Sequence, residues 1–119
     1  IFIAIAALYA IERGCGTVIV GFNREEGRVF PDNTERYLRR ANRALELGMR
    51  RTVRVASPTV RLTKRTIVRR GIELDVPWRD VWSCYRGAAR MCGTCESCLR
   101  LRRAVAGTAA ERLVRFGKG

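Results

Sequence analysis

The sequence contains no histidine, so a metal site built at its cysteines can draw on sulfur alone. Lysine is nearly absent too: two lysines stand against twenty-two arginines, within a formal net charge of +13. Such a balance attracts anions such as nucleic acid, nucleotides or acidic substrates, although genome composition alone can favour arginine. Of the two lysines, Lys118 sits in a terminal tail, whereas Lys64 is internal, where its retention points to a need for a slim ammonium. No set of aromatic residues interleaves with the arginines, so the stacking surface of a single-strand RNA binder is missing. The one long apolar run, residues 1–11, is well short of the ~20 residues that span a bilayer. It has no basic segment before it, and Glu12 and Arg13 follow at once, so it reads as a buried helix rather than a span or a secretory signal. Repeats and low-complexity segments are absent, and 119 residues bound the chain to one domain at most.

Sulfur is what the sequence does have. Four of five cysteines fall in Trp82-Ser83-Cys84-Tyr85 and Cys92-Gly93-Thr94-Cys95-Glu96-Ser97-Cys98. Two overlapping C-x-x-C steps bring three thiolates onto one tight turn, and Cys84 closes a tetrahedron from across a short loop. That is the all-sulfur arrangement a structural zinc ion prefers, with Zn–S near ~2.3 Å. Disulfides fit less well, because three of the cysteines are crowded together and the total is odd. An iron–sulfur cluster also suits C-x-x-C-x-x-C, and a redox C-x-x-C is a further reading, although that motif usually opens near the chain start. Zinc is the preferred reading of the four. Cys15, in Arg13-Gly14-Cys15-Gly16-Thr17, reads as a small core residue entering an apolar strand.

Residues 1–13 read as a helix ended by Gly14. It is apolar on every side and so needs cover all round. With no initiating methionine, the covering elements are expected upstream, and the chain reads as the C-terminal part of something longer. Thr17-Val18-Ile19-Val20-Gly21-Phe22 does not alternate, which is how a strand buried on both faces reads in a parallel sheet. Residues 23–33 are a polar loop. Residues 34–48 form an amphipathic helix, capped by Asp32 with Glu35 or by Asn33. Tyr37, Leu38, Ala41, Ala44 and Leu45 face inward, Arg36, Arg39, Arg40 and Arg43 face outward, and Gly48 ends it. A strand at 52–56 stops at Ser57-Pro58. Thr63 caps a helix that runs through Lys64 to about Gly71, Pro77 breaks the chain, and a last helix leaves the cysteine knuckle and ends near Ala106. A strand–helix–strand order implies a right-handed parallel crossover. Two strands alone make a poor sheet, so more are expected upstream. Ligands of such sheets sit at the carboxyl ends of the strands, here Phe22-Asn23-Arg24 and Ser57-Pro58-Thr59. The expected organisation is an α/β part over 1–80, a zinc-binding segment over 81–107 and a tail over 108–119.

Val20-Gly21-Phe22-Asn23-Arg24-Glu25-Glu26, Phe30-Pro31-Asp32-Asn33, Leu62-Thr63-Lys64, Trp82-Ser83-Cys84-Tyr85 and the double C-x-x-C come in the order of one family. Over about residues 1–106 the chain resembles the C-terminal half of the 7-cyano-7-deazaguanine synthases, the QueC family, and looks most like its archaeal forms. The resemblance implies an α/β fold: a Rossmann-like parallel sheet of the ATP-pyrophosphatase (adenine nucleotide alpha hydrolase-like) type, here only its C-terminal part, with a four-cysteine zinc-binding loop and a C-terminal helix. It implies an ATP-dependent ligase that turns 7-carboxy-7-deazaguanine and ammonia into 7-cyano-7-deazaguanine, a precursor of queuosine or archaeosine in transfer RNA. The carboxylate is adenylated, ammonia gives the amide, and a second activation dehydrates it. Because ATP makes the activated acyl group, such chemistry needs no histidine: the protein positions partners and stabilises phosphate charge. The family's Ser-Gly-Gly loop for ATP is missing, since Gly14, Gly16 and Gly21 are not followed by that pattern. ATP with magnesium, and the reaction itself, are therefore expected of the complete protein, and this stretch alone is expected to be inactive.

Carried over by the resemblance, Cys84, Cys92, Cys95 and Cys98 match the zinc ligands, one structural ion per chain. Asp32 matches the Pro-Asp of the substrate loop and would hydrogen-bond the guanine-like edge, its rival role being a helix cap. Asn23 and Arg24 would meet substrate or phosphate, against the reading of a solvated loop. Lys64 would meet phosphate or the substrate carboxylate, against that of a solvated first-turn lysine. No catalytic residue is assigned. The implied partners are 7-carboxy-7-deazaguanine, ATP and ammonia in the cytoplasm, with no membrane and with a homodimer compatible. Two rivals stand beside this reading. One is a zinc-knuckle module for RNA or DNA, motivated by the net charge and by twelve basic residues against one acidic, Glu46, from Arg36 to Arg70. The other is a different zinc-containing ATP-pyrophosphatase, such as a tRNA thiolation enzyme.

Overall fold

A computed structural model describes residues 1–87 and 89–117, so Lys118 lies outside the described residues. Backbone contacts divide the chain into Ile1–Thr63 and Lys64–Gly119, and helix 64–73 therefore groups with the cysteines.

In the first unit, helix α1 spans Phe2–Glu12. Its end is set by Gly14 at φ 69°, a left-handed conformation that a side chain would strain. That turn lets Cys15 N–H reach Ala10 O at 2.7 Å and Gly14 N–H reach Ile11 O at 3.1 Å, which satisfies two of the helix's last carbonyls. Ala7 and Ala10 are the buried positions of α1, small enough to bring its backbone close to the core. Phe2, Leu8 and Tyr9 are exposed, so among the described residues the apolar helix is covered on one side only.

Strands β1 (Thr17–Ile19) and β2 (Arg54–Ala56) pair in parallel, Val18 opposite Val55. The expectation of a strand buried on both faces is corrected here. Thr17 and Ile19 are exposed, while Val18, Val20 and Phe22 pack on the core. The reason lies in the helices. Helix α2 (Glu35–Gly48) packs against α1 and β2, and α1 packs against β1, which sets both helices over one face of the sheet. The cap of α2 is Thr34, not Asp32 or Asn33: its Oγ1 accepts from Tyr37 N–H at 3.1 Å and donates to Pro31 O at 2.8 Å. Leu38 and Leu45 are buried as the helical period requires, and the arginines at 36, 39, 40 and 43 face solvent. Ala44 is also exposed, which corrects its place in the inward stripe. Half-buried Asn42 turns inward, and its carboxamide clamps β2: Oδ1 accepts from Val55 N–H at 2.7 Å, and Nδ2 donates to Val55 O at 2.9 Å.

The second unit packs helix α3 (Lys64–Glu73) on helix α4 (Glu96–Val105), around Val68, Trp78, Met91, Leu101, Val105 and the buried Cys98. Residues 107–117 do not trail as a tail. A 3-10 turn over Ala109–Arg112 buries Ala110, Val114 is buried, and Phe116 bridges to Met91, with Gly117 N–H donating to Met91 O at 2.7 Å. The close fit of α3 gives a stability prediction. A Cβ added at Gly71 would lie 2.7 Å from Cζ2 of the buried Trp78. Gly→Ala in a helix ordinarily gains about 0.5–1 kcal/mol. Here overpacking should reverse the sign, and Gly71→Ala should lower stability by roughly 1–3 kcal/mol in urea unfolding. A neutral or stabilising result would show that the indole moves aside.

Candidate functional site

Three of the clustered cysteines sit on one turn that leads into α4. Cys95 is the residue before the helix, and Cys98 lies in its first turn. Gly93, at φ 73°, supplies the left-handed step between Cys92 and Cys95. Cys84 arrives from the loop that follows the 3-10 turn Trp78–Asp80. The four Sγ atoms all lie within 4.8 Å of one another, and Cys92 and Cys98 are 3.9 Å apart. A regular tetrahedron with bonds of ~2.3 Å separates its sulfurs by ~3.8 Å, so the spacing suits one central ion. None of the five cysteines is in a disulfide. The four sulfurs together could hold a metal ion.

The protein also supplies what charged sulfurs need. Backbone N–H groups of Arg86 and Cys92 donate to Cys84 Sγ, each at 3.4 Å, and that of Cys95 donates to Cys92 Sγ at 3.3 Å. Such donors stabilise thiolates and fix their direction. Hydrogen bonds from Thr94, first through its side chain, and from the Cys95 amide draw the Cys92 thiol down to about 5. The Cys98 amide is the main cause that lowers Cys95. Burial pushes Cys98 the other way, to about 11. A cation at the centre would remove that conflict by favouring all four thiolates at once. Cys15 stands apart from this group and is exposed, which corrects its reading as a core residue; the turn that closes α1 carries it outward.

The remaining candidates divide between the units. Asn23 is buried; its Oδ1 accepts from Glu26 N–H at 3.1 Å, so part of its amide holds the loop's first 3-10 turn, Glu26–Arg28. Arg24 is exposed, and its N–H donates to Leu62 O at 2.9 Å. Asp32 is exposed in the second 3-10 turn, Pro31–Asn33, which packs against the first. The carboxyl ends of the two strands are tied together: Ser57 Oγ and Thr59 Oγ1 both donate to Phe22 O, at 3.2 and 2.6 Å. Loop 23–33 thus leaves the sheet at a fixed point. In the other unit, half-buried Lys64 opens α3 and lines a cavity of about 420 Å³ shared with Trp82, Ser83, Tyr85, Ser97 and Leu101. That grouping was not visible in the sequence, although Lys64 and Trp-Ser-Cys-Tyr each stood out by themselves.

A mixed α/β chain with a parallel strand pair and four clustered cysteines that could hold a metal ion is the class these features define. A family model described as "Queuosine biosynthesis protein QueC" matches residues 1–109, and the chain belongs to that family. It is 47% identical over 104 residues to a protein of Desulforudis audaxviator, which covers 87% of this chain and 47% of that one. It is 47% identical over 107 residues to one of Carboxydothermus hydrogenoformans, covering 90% and 50%. An archaeal relative, from Methanothermobacter thermautotrophicus, is 45% identical over 104 residues, covering 87% and 47%. All three are named "7-cyano-7-deazaguanine synthase". The chain spans about half the length of the curated relatives it matches. Among the described residues no helix is long and apolar enough to cross a membrane.

Proposed function

We propose that this chain forms part of a cytoplasmic ATP-dependent ligase that converts 7-carboxy-7-deazaguanine and ammonia into 7-cyano-7-deazaguanine. The observation that carries the reading is the match of nearly the whole chain, at close to half identity, to proteins named for that product. The parallel β1–α2–β2 unit is compatible with the edge of an ATP-pyrophosphatase-type sheet. ATP and magnesium would bind to segments that the relatives carry beyond the matched half, since no Ser-Gly-Gly loop occurs in the sequence. One zinc per chain would be held by Cys84, Cys92, Cys95 and Cys98, in a structural role, because four protein sulfurs leave no open position for a reactant. Iron–sulfur chemistry is the weaker fit, because a cluster needs room for its own sulfide between the four sulfurs, which already lie within 4.8 Å of one another.

Asp32, Asn23 and Arg24, on the loop beyond β1, are proposed as substrate-binding residues of the first unit, and Lys64, at the start of α3, as one of the second unit. With Thr34 capping α2, the rival role for Asp32 loses its support. A carboxylate in an exposed turn can accept two N–H bonds from a guanine-like edge. In the complete protein, Asp32→Ala should lower kcat/KM for 7-carboxy-7-deazaguanine by roughly ten- to a hundred-fold, the value of about 1.5–3 kcal/mol for a charged hydrogen bond. Its melting temperature should stay near that of wild type. A variant that melts early yet turns over normally would remove Asp32 from the site.

A further inference from the structure

Trp82 and Tyr85 flank Ser83 and Cys84 at the metal knuckle, yet both rings stay in solvent: Trp82 is 51% exposed and Tyr85 is 90% exposed. The Trp82 ring is not loose, since its Nε1–H donates to Cys84 O at 2.9 Å, which fixes the indole against the backbone of the cysteine cluster. A rigid aromatic face in water costs apolar hydration and loses little entropy when a flat partner covers it. Both aromatics line the cavity of about 420 Å³ that Lys64 also lines, a size within the range of about 300–1,000 Å³ typical of small-molecule sites. Of the four clustered cysteines only Cys84 lines that wall, so the cavity borders the cysteine cluster at a single residue.

Resting on the proposed function, we infer that this cavity receives the bicyclic ring of the deazapurine substrate, with Trp82 and Tyr85 as stacking residues and Lys64 paired to its 7-carboxylate. The charge count decides between a small acid and a nucleic acid. Single-strand binding needs several cations that track the phosphates. Among the described residues the wall carries one cation, Lys64, and no arginine, in a chain with twenty-two arginines. One flat ring with one negative charge fits that wall. Serine hydroxyls at 83 and 97 add polar contacts at the same surface.

The test is equilibrium binding of 7-carboxy-7-deazaguanine and of 7-deazaguanine, which lacks the carboxylate, to the zinc-loaded chain by calorimetry. Tyr85→Ala should weaken both ligands by about tenfold, in line with the stacking of one base on an aromatic side chain. Lys64→Met should weaken the carboxylated ligand by about tenfold or more and leave 7-deazaguanine almost unchanged. Tyr85 is nearly fully exposed, so zinc content and melting temperature should not move in that variant. The inference is overturned if both variants keep wild-type affinity, if the wild-type chain takes up neither deazapurine, or if oligouridine binds more tightly than either. Nitrile formation by the complete protein is measured alongside. Normal product with unaffected binding in both variants sinks the cavity and leaves the proposed function standing. Cavity binding without any nitrile does the reverse.

Discussion

Cys98→Ser should strip the metal from the chain and abolish the fold of the Lys64–Gly119 unit. Cys98 is fully buried, lies 3.9 Å from Cys92 Sγ, and belongs to the same core as Trp78, Met91 and Leu101. Binding of a structural zinc contributes on the order of 10–16 kcal/mol in small peptides. That is of the same order as the roughly 5–15 kcal/mol by which whole domains are stable. Metal analysis should find about one zinc per wild-type chain and none in the variant, and the near-ultraviolet signal of the tryptophans should collapse. Cys15→Ala, at an exposed position outside the cluster, should change neither. Iron in place of zinc, or cooperative unfolding of that unit after complete chelation, would refute the assignment.

In the other unit, the largest loss should follow Asn42→Ala. The carboxamide of Asn42 satisfies both backbone groups of Val55, a residue only 2% exposed. Its removal leaves a buried donor and a buried acceptor unpaired, at about 1–3 kcal/mol each. Urea unfolding should therefore show a loss of several kcal/mol, far beyond that of an ordinary exposed helix position. Asn42→Asp supplies the control. It keeps an acceptor for Val55 N–H but points a carboxylate oxygen at Val55 O, so it should also destabilise. Wild-type stability in either variant would mean that water takes over the clamp.

The parts of this molecule legible in the sequence are those fixed over short distances. The cysteine cluster is one: two overlapping C-x-x-C steps confine three sulfurs whatever the rest of the chain does. Helix α2 is another, because its apolar period places Leu38 and Leu45 inward. What escaped depends on neighbours distant in the chain. A β-branched run such as Thr17-Val18-Ile19-Val20 reads the same whether one face or both are covered, and packing alone decides that Ile19 is exposed. The sequence does not single out the cap of α2, because Asp32, Asn33 and Thr34 are all competent acceptors. The 3-10 turn over Pro31–Asn33 decides among them by holding the first two before the helix entry. Residues 109–116 have no period at all, and they are ordered by a bridge to Met91, which lies one residue before Cys92. The Lys64 cavity is of the same kind, since nearly twenty residues separate the lysine from Trp82.

The clamp of Asn42 also gives the sheet a direction of growth. Arg54 N–H bonds to Gly16 O and Val20 N–H to Ala56 O, so those groups of β2 turn toward β1. Backbone groups alternate along a strand, and Val55 therefore points away from β1, into the carboxamide. No further strand can pair with Val55 while that side chain holds both of its groups. Thr17 and Ile19, by the same alternation, turn their amides away from β2, on a side where no strand of the described residues lies. At Val55 the outer border of β2 is closed, whereas at Thr17 and Ile19 the outer border of β1 has no strand beside it among the described residues.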